Sequence, residues 1–78
     1  MSPSPHGQTG LGKAIRHLRE ERGMTQEGLA HEAGSTAATI GAIERGLTNP
    51  SWGTVEAIAA ALNVSVVEVA KGAQEQRR

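Results

Sequence analysis

Apolar residues recur at intervals of three and four along this chain, the spacing that places side chains on one face of an α-helix. The first stripe runs through Leu11, Ile15 and Leu18, and Gly23 marks its end, because glycine is favoured just past a helix. Residues 1–10 are mostly Pro, Ser, Gly and polar residues without periodicity, so they predict a disordered arm.

Two shorter helices follow, each bounded by a capping residue at its start and a glycine at its end. Thr25 caps the second helix, which Gly34 ends after about two turns. Ser35 or Thr36 caps the third helix, which Gly46 ends. The inward side chains of these two helices are Leu29, Ala30, Ala33, Ile40 and Ile43.

Two more helices complete an all-α domain over residues 11–70. Ser51 caps a fourth helix, and Asn63 follows its end. Ser65-Val66-Val67-Glu68 fits a capping box and predicts a fifth helix to about Ala70, with residues 71–78 as a basic flexible tail. The valine-rich stretch 64–69 also suits a strand, but a lone strand here would have no partner. The stripe of the fourth helix is Trp52, Val55, Ile58, Ala59 and Leu62.

Composition supports close packing of helices around small side chains. The chain has 78 residues, 37% of them hydrophobic, and of those 29 residues 12 are Ala and one, Trp52, is aromatic. The absence of Cys excludes disulfide scaffolds and thiolate metal sites. No apolar run approaches the ~18 residues of a membrane span, and the N-terminus does not resemble a signal peptide. We therefore expect a soluble cytoplasmic domain with no membrane partner.

The charge is zoned, although eight Lys and Arg balance eight Glu. Residues 13–22 contain four basic residues and two Glu, whereas residues 23–44 contain three Glu and no Lys or Arg. A balanced total neither demands nor excludes a nucleic-acid partner, so the placement of charge matters more than the sum.

The second and third helices have the residues of a helix-turn-helix. Two helices that cross steeply need a small residue at their contact, which Ala30 supplies, and a turn that tolerates positive φ, which Gly34 supplies. Ile40 and Ile43 would hold the third helix on the domain and leave its other face free. A free helix face of this kind fits the major groove of DNA.

Several segments of the chain, in their order and spacing, resemble the phage-repressor and Cro-like (XRE-type) helix-turn-helix family over about residues 11–70. The resemblance implies a compact five-helix, lambda-repressor-like DNA-binding domain. The segments that carry it are residues 11–30, Thr39-Ile40, Ile43-Glu44-Arg45-Gly46, Asn49-Pro50-Ser51 and Ala61-Leu62-Asn63-Val64-Ser65.

The resemblance also implies which residues contact DNA. Thr25 and Gln26 open the second helix, where Gln contacts the backbone and sometimes a base, as free amides at a helix N-terminus permit. Arg45 and Asn49 match phosphate-contacting positions, and Arg16 lies where it could reach the flanking backbone. Lys13 is a candidate of the same kind, and both it and Arg16 also suit an ordinary solvated helix face. The third helix contributes Thr36, Ala37, Ala38, Thr39, Gly41 and Ala42.

The third helix departs from the family pattern at its base-reading positions. Ala37, Ala38, Gly41 and Ala42 stand where long polar side chains are usual, and none of them can form a side-chain hydrogen bond. On one interpretation the helix still enters the groove, with alanine methyls on thymine methyls and hydrogen bonds from Thr36 or Thr39. Base preference would then depend on T-rich steps, on Arg45 and on DNA deformability. On the other, the helix has lost DNA contact and serves packing or a protein partner.

Other residues are assigned structural roles. The resemblance implies that Arg19 pairs with Glu44 and locks the third helix against the first. Trp52 is expected to be a core or near-core anchor. His31 is expected on the exposed side of its helix, and the three histidines do not form a metal set. Without Asp, Cys or Tyr, and without a phosphate-binding loop, we expect neither an enzyme nor a bound cofactor.

The leading hypothesis is a sequence-specific regulator of double-stranded DNA, acting as a small homodimer that represses by occlusion. We expect a regulator without an effector domain, and the excess of valines near the C-terminus suits either self-association or a finished core. The alternative is a protein-interaction adaptor or antitoxin-like module on the same scaffold. A steep loss of affinity for duplex DNA as the salt concentration rises would favour the DNA-binding hypothesis over the adaptor.

Overall fold

The computed structural model describes residues 9–76, and within them it contains five α-helices and no strand. The all-α, five-helix fold is therefore confirmed. The helices are α1 (Thr9–Glu21), α2 (Gln26–Ala33), α3 (Ala37–Glu44), α4 (Trp52–Ala61) and α5 (Val66–Gln76). The predicted N-terminal arm lies outside the described residues up to position 8, and the last two residues of the predicted tail do so as well.

One hydrophobic core holds the five helices together. α1 packs mainly against α5 and also against α3, while α2 packs against both α3 and α4. Every helix supplies at least one fully buried side chain, so the core depends on all of them. Its buried members are Ile15, Leu29, Ala30, Ile40, Ile43, Ile58, Ala59, Leu62 and Val69.

The predicted helix ends agree with the backbone conformation. Gly23, Gly34, Gly46 and Asn63 all have positive φ, between 59° and 74°. Asn63 shows the value of the prediction best, because asparagine is one of the few residues other than glycine that tolerates the left-handed region.

The predicted strand alternative over residues 64–69 is wrong, because the capping box forms instead. The Ser65 amide donates to the Glu68 carboxylate at 3.0 Å, and the Glu68 amide donates to the Ser65 hydroxyl at 3.0 Å. These two bonds satisfy amide groups that a helix leaves without partners at its start.

Both terminal helices are longer than predicted. α1 begins at Thr9 rather than Leu11, and Gly10 is buried. α5 continues past Ala70 to Gln76 because its later turns still pack against α1. A β-carbon on Gly72 would lie 3.2 Å from the Cβ atom of Ala14, so α1 and α5 approach closely here.

The prediction that Trp52 anchors the core is wrong. Its side chain is 64% exposed, because α4 begins at this residue and the core starts further along the helix, at Ile58. Trp52 instead borders a shallow apolar groove between α4, α5 and the start of α1. The other residues that line this groove are Leu11, Val55, Val66, Val69, Ala70, Ala73 and Gln74.

Within residues 9–76 no single helix is both long and apolar enough to cross a membrane; α4 and α5 meet those limits only as a pair bent by 99°.

Candidate nucleic-acid interface

α2, the turn after it and α3 form a helix-turn-helix. Leu29 and Ala30 of α2 are buried against Ile40 and Ile43 of α3, as the sequence predicted. The turn depends on Gly34, whose φ of 69° lets the chain leave α2 at once. The Ser35 amide then donates to the Ala30 carbonyl at 2.8 Å, which ties the turn back onto α2.

A threonine caps the N-terminus of each of these two helices, α2 and α3. The Thr25 hydroxyl accepts from the Gly28 amide at 2.9 Å, and the Thr36 hydroxyl accepts from the Thr39 amide at 3.1 Å. Thr36, rather than Ser35, is therefore the cap of α3. The Thr36 hydroxyl also donates to the Thr39 hydroxyl at 3.0 Å. Thr39 thus keeps its own proton for an external acceptor, whereas the proton of Thr36 is already used.

The outward side of α3 is lined by small side chains. Ala38 and Thr39 are exposed, and Ala37 and Ala42 are half-buried. Gly41, the remaining one of the four predicted base-reading positions, is buried, so its backbone does not form an open contact surface. Because these side chains are short, a partner can approach the backbone of α3 closely.

A hydrogen-bonded network joins the start of α2 to the end of α3 and to α1. Arg19 binds the Glu44 carboxylate with two bonds, Nε to Oε2 at 2.7 Å and Nη2 to Oε1 at 3.1 Å. The Gln26 amide nitrogen donates to Glu44 Oε1 at 3.0 Å. The pairing of Arg19 with Glu44 is confirmed, and its extension to Gln26 is a feature that sequence reasoning missed.

The network favours the charged form of Arg19. The hydrogen bond to Glu44 raises the pKa of Arg19 above its usual value, against the opposing effect of burial, so the guanidinium stays protonated. Arg19 also donates to the Met24 carbonyl at 2.7 Å. Because Arg19 is turned inward, its charge is satisfied within the domain and is not presented to a ligand.

The remaining predicted contact residues lie at the rim of this surface. Arg45 directly follows α3 and is exposed, as is Asn49 in the loop before α4. Arg16 and Lys13 are exposed on α1, but the Arg16 guanidinium already pairs with the Glu20 carboxylate at 3.1 Å. The Arg45 guanidinium lies against Gly41 of α3.

The histidines described by the structure are His17 and His31; His6, the third of the predicted set, lies outside the described residues. His31 is exposed, as predicted, and His17 lies 3.3 Å from Glu21 on the surface of α1. In the part of the chain that the structure describes, no three His, Cys, Asp or Glu side chains are arranged to hold a metal ion.

Comparison with known proteins agrees with this geometry. The family model described as a helix-turn-helix domain matches residues 11–71. The immunity repressor protein of Bacillus phage phi105 is 41% identical over 56 residues, which cover 72% of this chain and 39% of that protein. An uncharacterized HTH-type transcriptional regulator of Bacillus subtilis, YazB, is 41% identical over 59 residues, 76% of this chain and 86% of that protein. The chain thus spans less than half the length of the phage repressor and most of YazB.

A solved structure shares the fold as well. The restriction-modification controller protein C.Esp1396I, crystallised as a tetramer with its natural 35 base-pair operator, superposes with a TM-score of 0.80. The two are 30% identical, and the match covers 88% of this chain and 91% of that chain. The resemblance inferred from the sequence segments is therefore confirmed.

Proposed function

Because the chain belongs to the helix-turn-helix domain family, we propose that it is a transcriptional regulator that binds double-stranded DNA with sequence preference and represses by occupying its site. The observation that carries this proposal is the construction of α3. Ile40 and Ile43 hold it to the core by one side, while Ala38 and Thr39 on the other side remain exposed. We place the regulator in the cytoplasm and assign it a binding role without catalysis or cofactor.

The small side chains of α3 determine what kind of contact is available. Ala38 offers a methyl group that can lie against a thymine methyl, and Thr39 offers one free hydroxyl proton to a base or phosphate acceptor. Short side chains let the helix backbone come close to the bases. The preference for one DNA sequence over another then depends in part on how easily each sequence deforms.

The apolar groove beside Trp52 suits a second copy of the chain. Val67 of α5 is 65% exposed and shares a helix face with Ala70, which lines the groove. Two exposed large side chains beside one groove make a self-complementary contact feasible across a two-fold axis. A two-fold dimer of a helix-turn-helix places its two recognition helices ~34 Å apart and implies an inverted repeat in the DNA.

The test is selection from a pool of randomised duplexes at moderate salt, followed by sequencing of the retained DNA. We expect an inverted repeat, and we expect binding to weaken as salt rises, since each phosphate contact releases a counterion. Ala38→Glu should abolish enrichment, because it places a carboxylate on the outward side of α3 without entering the core. Ala60→Glu adds the same charge at an exposed position of α4 and is the matched control.

Two results would contradict the proposal. A folded wild-type protein that enriches nothing would favour the adaptor hypothesis and a protein partner. Equal binding by wild type and the Ala38→Glu variant would show that DNA is held by another surface.

A further inference from the structure

Gly41 is buried, although it is one of the four predicted base-reading positions of α3. Two side chains from outside the helix cover it. A β-carbon on Gly41 would lie 3.1 Å from Nη1 of Arg45, 3.4 Å from Oε1 of Gln26 and 3.6 Å from Nε2 of Gln26. The Gln26 amide and the Arg45 guanidinium therefore converge on the one position of α3 that has no side chain.

We propose that Gln26 and Arg45 are the base-reading side chains of this protein, and that Gly41 positions them by leaving the space they occupy. The inference rests on the proposed DNA-binding function and names the residues that give it specificity. The alanines of α3 cannot form hydrogen bonds with bases, and Thr39 offers a single hydroxyl proton, so the residues that can make two-bond base contacts come from the start of α2 and from the position after α3.

Glu44 sets the orientation of the Gln26 amide. A carboxylate only accepts hydrogen bonds, so the NH₂ group of Gln26 must face it, as the 3.0 Å bond from Nε2 to Oε1 shows. This leaves the amide oxygen and the second N–H of Gln26 unused by Glu44. An acceptor and a donor side by side form the pair that binds N6 and N7 of adenine in the major groove.

Arg45 provides the matching group for a guanine. Arg45 is an exposed residue, and its guanidinium lies over Gly41, which is one helical turn before it on α3. A guanidinium there can donate two bonds to O6 and N7 of guanine, the commonest specific contact of arginine with a base. The sequence resemblance placed Arg45 among the phosphate contacts, whereas this position directs it to base edges. Since both groups lie against one residue, they should read neighbouring base pairs.

Gly41→Ala tests the positioning role without damaging the fold. The added methyl would displace the end of the Arg45 side chain, which is flexible, and crowd Gln26. Alanine is also a better helix former than glycine, so the thermal midpoint should stay the same or rise. The matched control is Gly53→Ala, the same substitution in α4 at an exposed position with no side-chain atom closer than 3.9 Å.

The measurement is duplex selection with wild type and both glycine variants, plus Gln26→Ala and Arg45→Ala. We expect an A·T pair beside a G·C pair in each half-site of the wild-type motif. Discrimination at both pairs should fall about tenfold or more in Gly41→Ala. Gln26→Ala should lose only the A·T preference and Arg45→Ala only the G·C preference, with the motif of Gly53→Ala unchanged.

The outcomes separate the two proposals. If the wild type enriches an inverted repeat and the motif of Gly41→Ala is identical to it, the positioning role is overturned and the DNA-binding function stands. The same holds if Gln26→Ala and Arg45→Ala weaken binding uniformly at all base pairs, which is the behaviour of phosphate contacts. If the folded wild type enriches nothing, both proposals fail.

Discussion

Gly12 of α1 lies directly against the last turn of α3, so that a β-carbon on residue 12 would be 2.7 Å from the carbonyl oxygen of Glu44 and closer still to that of Ile43. These neighbours are backbone atoms in a packed helix and cannot move aside alone. The contact brings α1 close enough for Arg19 to reach Glu44. The position of α3 thus depends on a residue that has no side chain.

Gly12→Ala should destabilise the domain even though alanine favours a helix. The methyl group must push α1 away from α3, and overpacking of this kind costs about 1–3 kcal/mol, occasionally more. Urea denaturation gives the free energy of unfolding, with Gly53→Ala as the control that should be neutral or slightly stabilising. A Gly12→Ala variant as stable as Gly53→Ala would contradict the close contact.

Removal of one member of the Arg19–Glu44 pair should cost about 3–5 kcal/mol, because the other charge stays buried without its partner. Arg19→Leu combined with Glu44→Leu should lose far less than the sum of the single changes. The free energies of unfolding of the four proteins in the double-mutant cycle give the coupling. Arg19→Lys, which keeps the charge but not the two-bond geometry, should fall between wild type and Arg19→Leu. Additive losses would show that the pair does not act as a unit.

Gly34→Ala should cost about 1–2 kcal/mol, the price of the left-handed conformation for a residue with a β-carbon. No atom would touch the added methyl, so backbone strain is the whole effect. Asn63 has the same conformation, with φ of 59°, and Asn63→Gly should be neutral or stabilising. Thermal unfolding of the two variants checks both signs. A destabilised Asn63→Gly variant would indicate that the Asn63 side chain, rather than its backbone, matters.

Trp52→Ser should weaken self-association with little loss of stability, because most of the Trp52 side chain is exposed in a single copy. A central aromatic at an interface contributes about 2 kcal/mol or more, which is a change in the dimer dissociation constant of roughly 30-fold. Sedimentation equilibrium measures it. Leu47→Ser is the control, since Leu47 is 61% exposed but does not line the groove. A wild-type protein that stays monomeric at high concentration would contradict the dimer.

The helices could be predicted closely because local chemistry sets their ends. Thr25, Thr36 and Ser51 each accept an amide hydrogen bond at the start of a helix, and the choice of residue type already indicates this. The residues that end helices can be predicted equally well, since Gly34 and Asn63 suit the left-handed backbone conformation that few other residues adopt.

Two errors share a different cause. α5 extends past Ala70 because Gly72 packs against Ala14, a residue far away in the sequence. Trp52 is exposed because of where α4 lies on the core, and periodicity alone cannot show where a stripe meets its neighbours. In both cases the deciding contact is between helices.

The sequence by itself determined the five helices, their caps, the helix-turn-helix and most of the residues that face the core, because each follows from periodicity or from the backbone preference of one residue. Only the tertiary structure decided that Gln26 is held by Glu44 and lies against Gly41, and that Gly12 supports α3. These are contacts between residues up to about thirty positions apart, and their distances depend on how the helices pack. The candidate DNA surface is built from such contacts, which is why its readers were less evident than its scaffold.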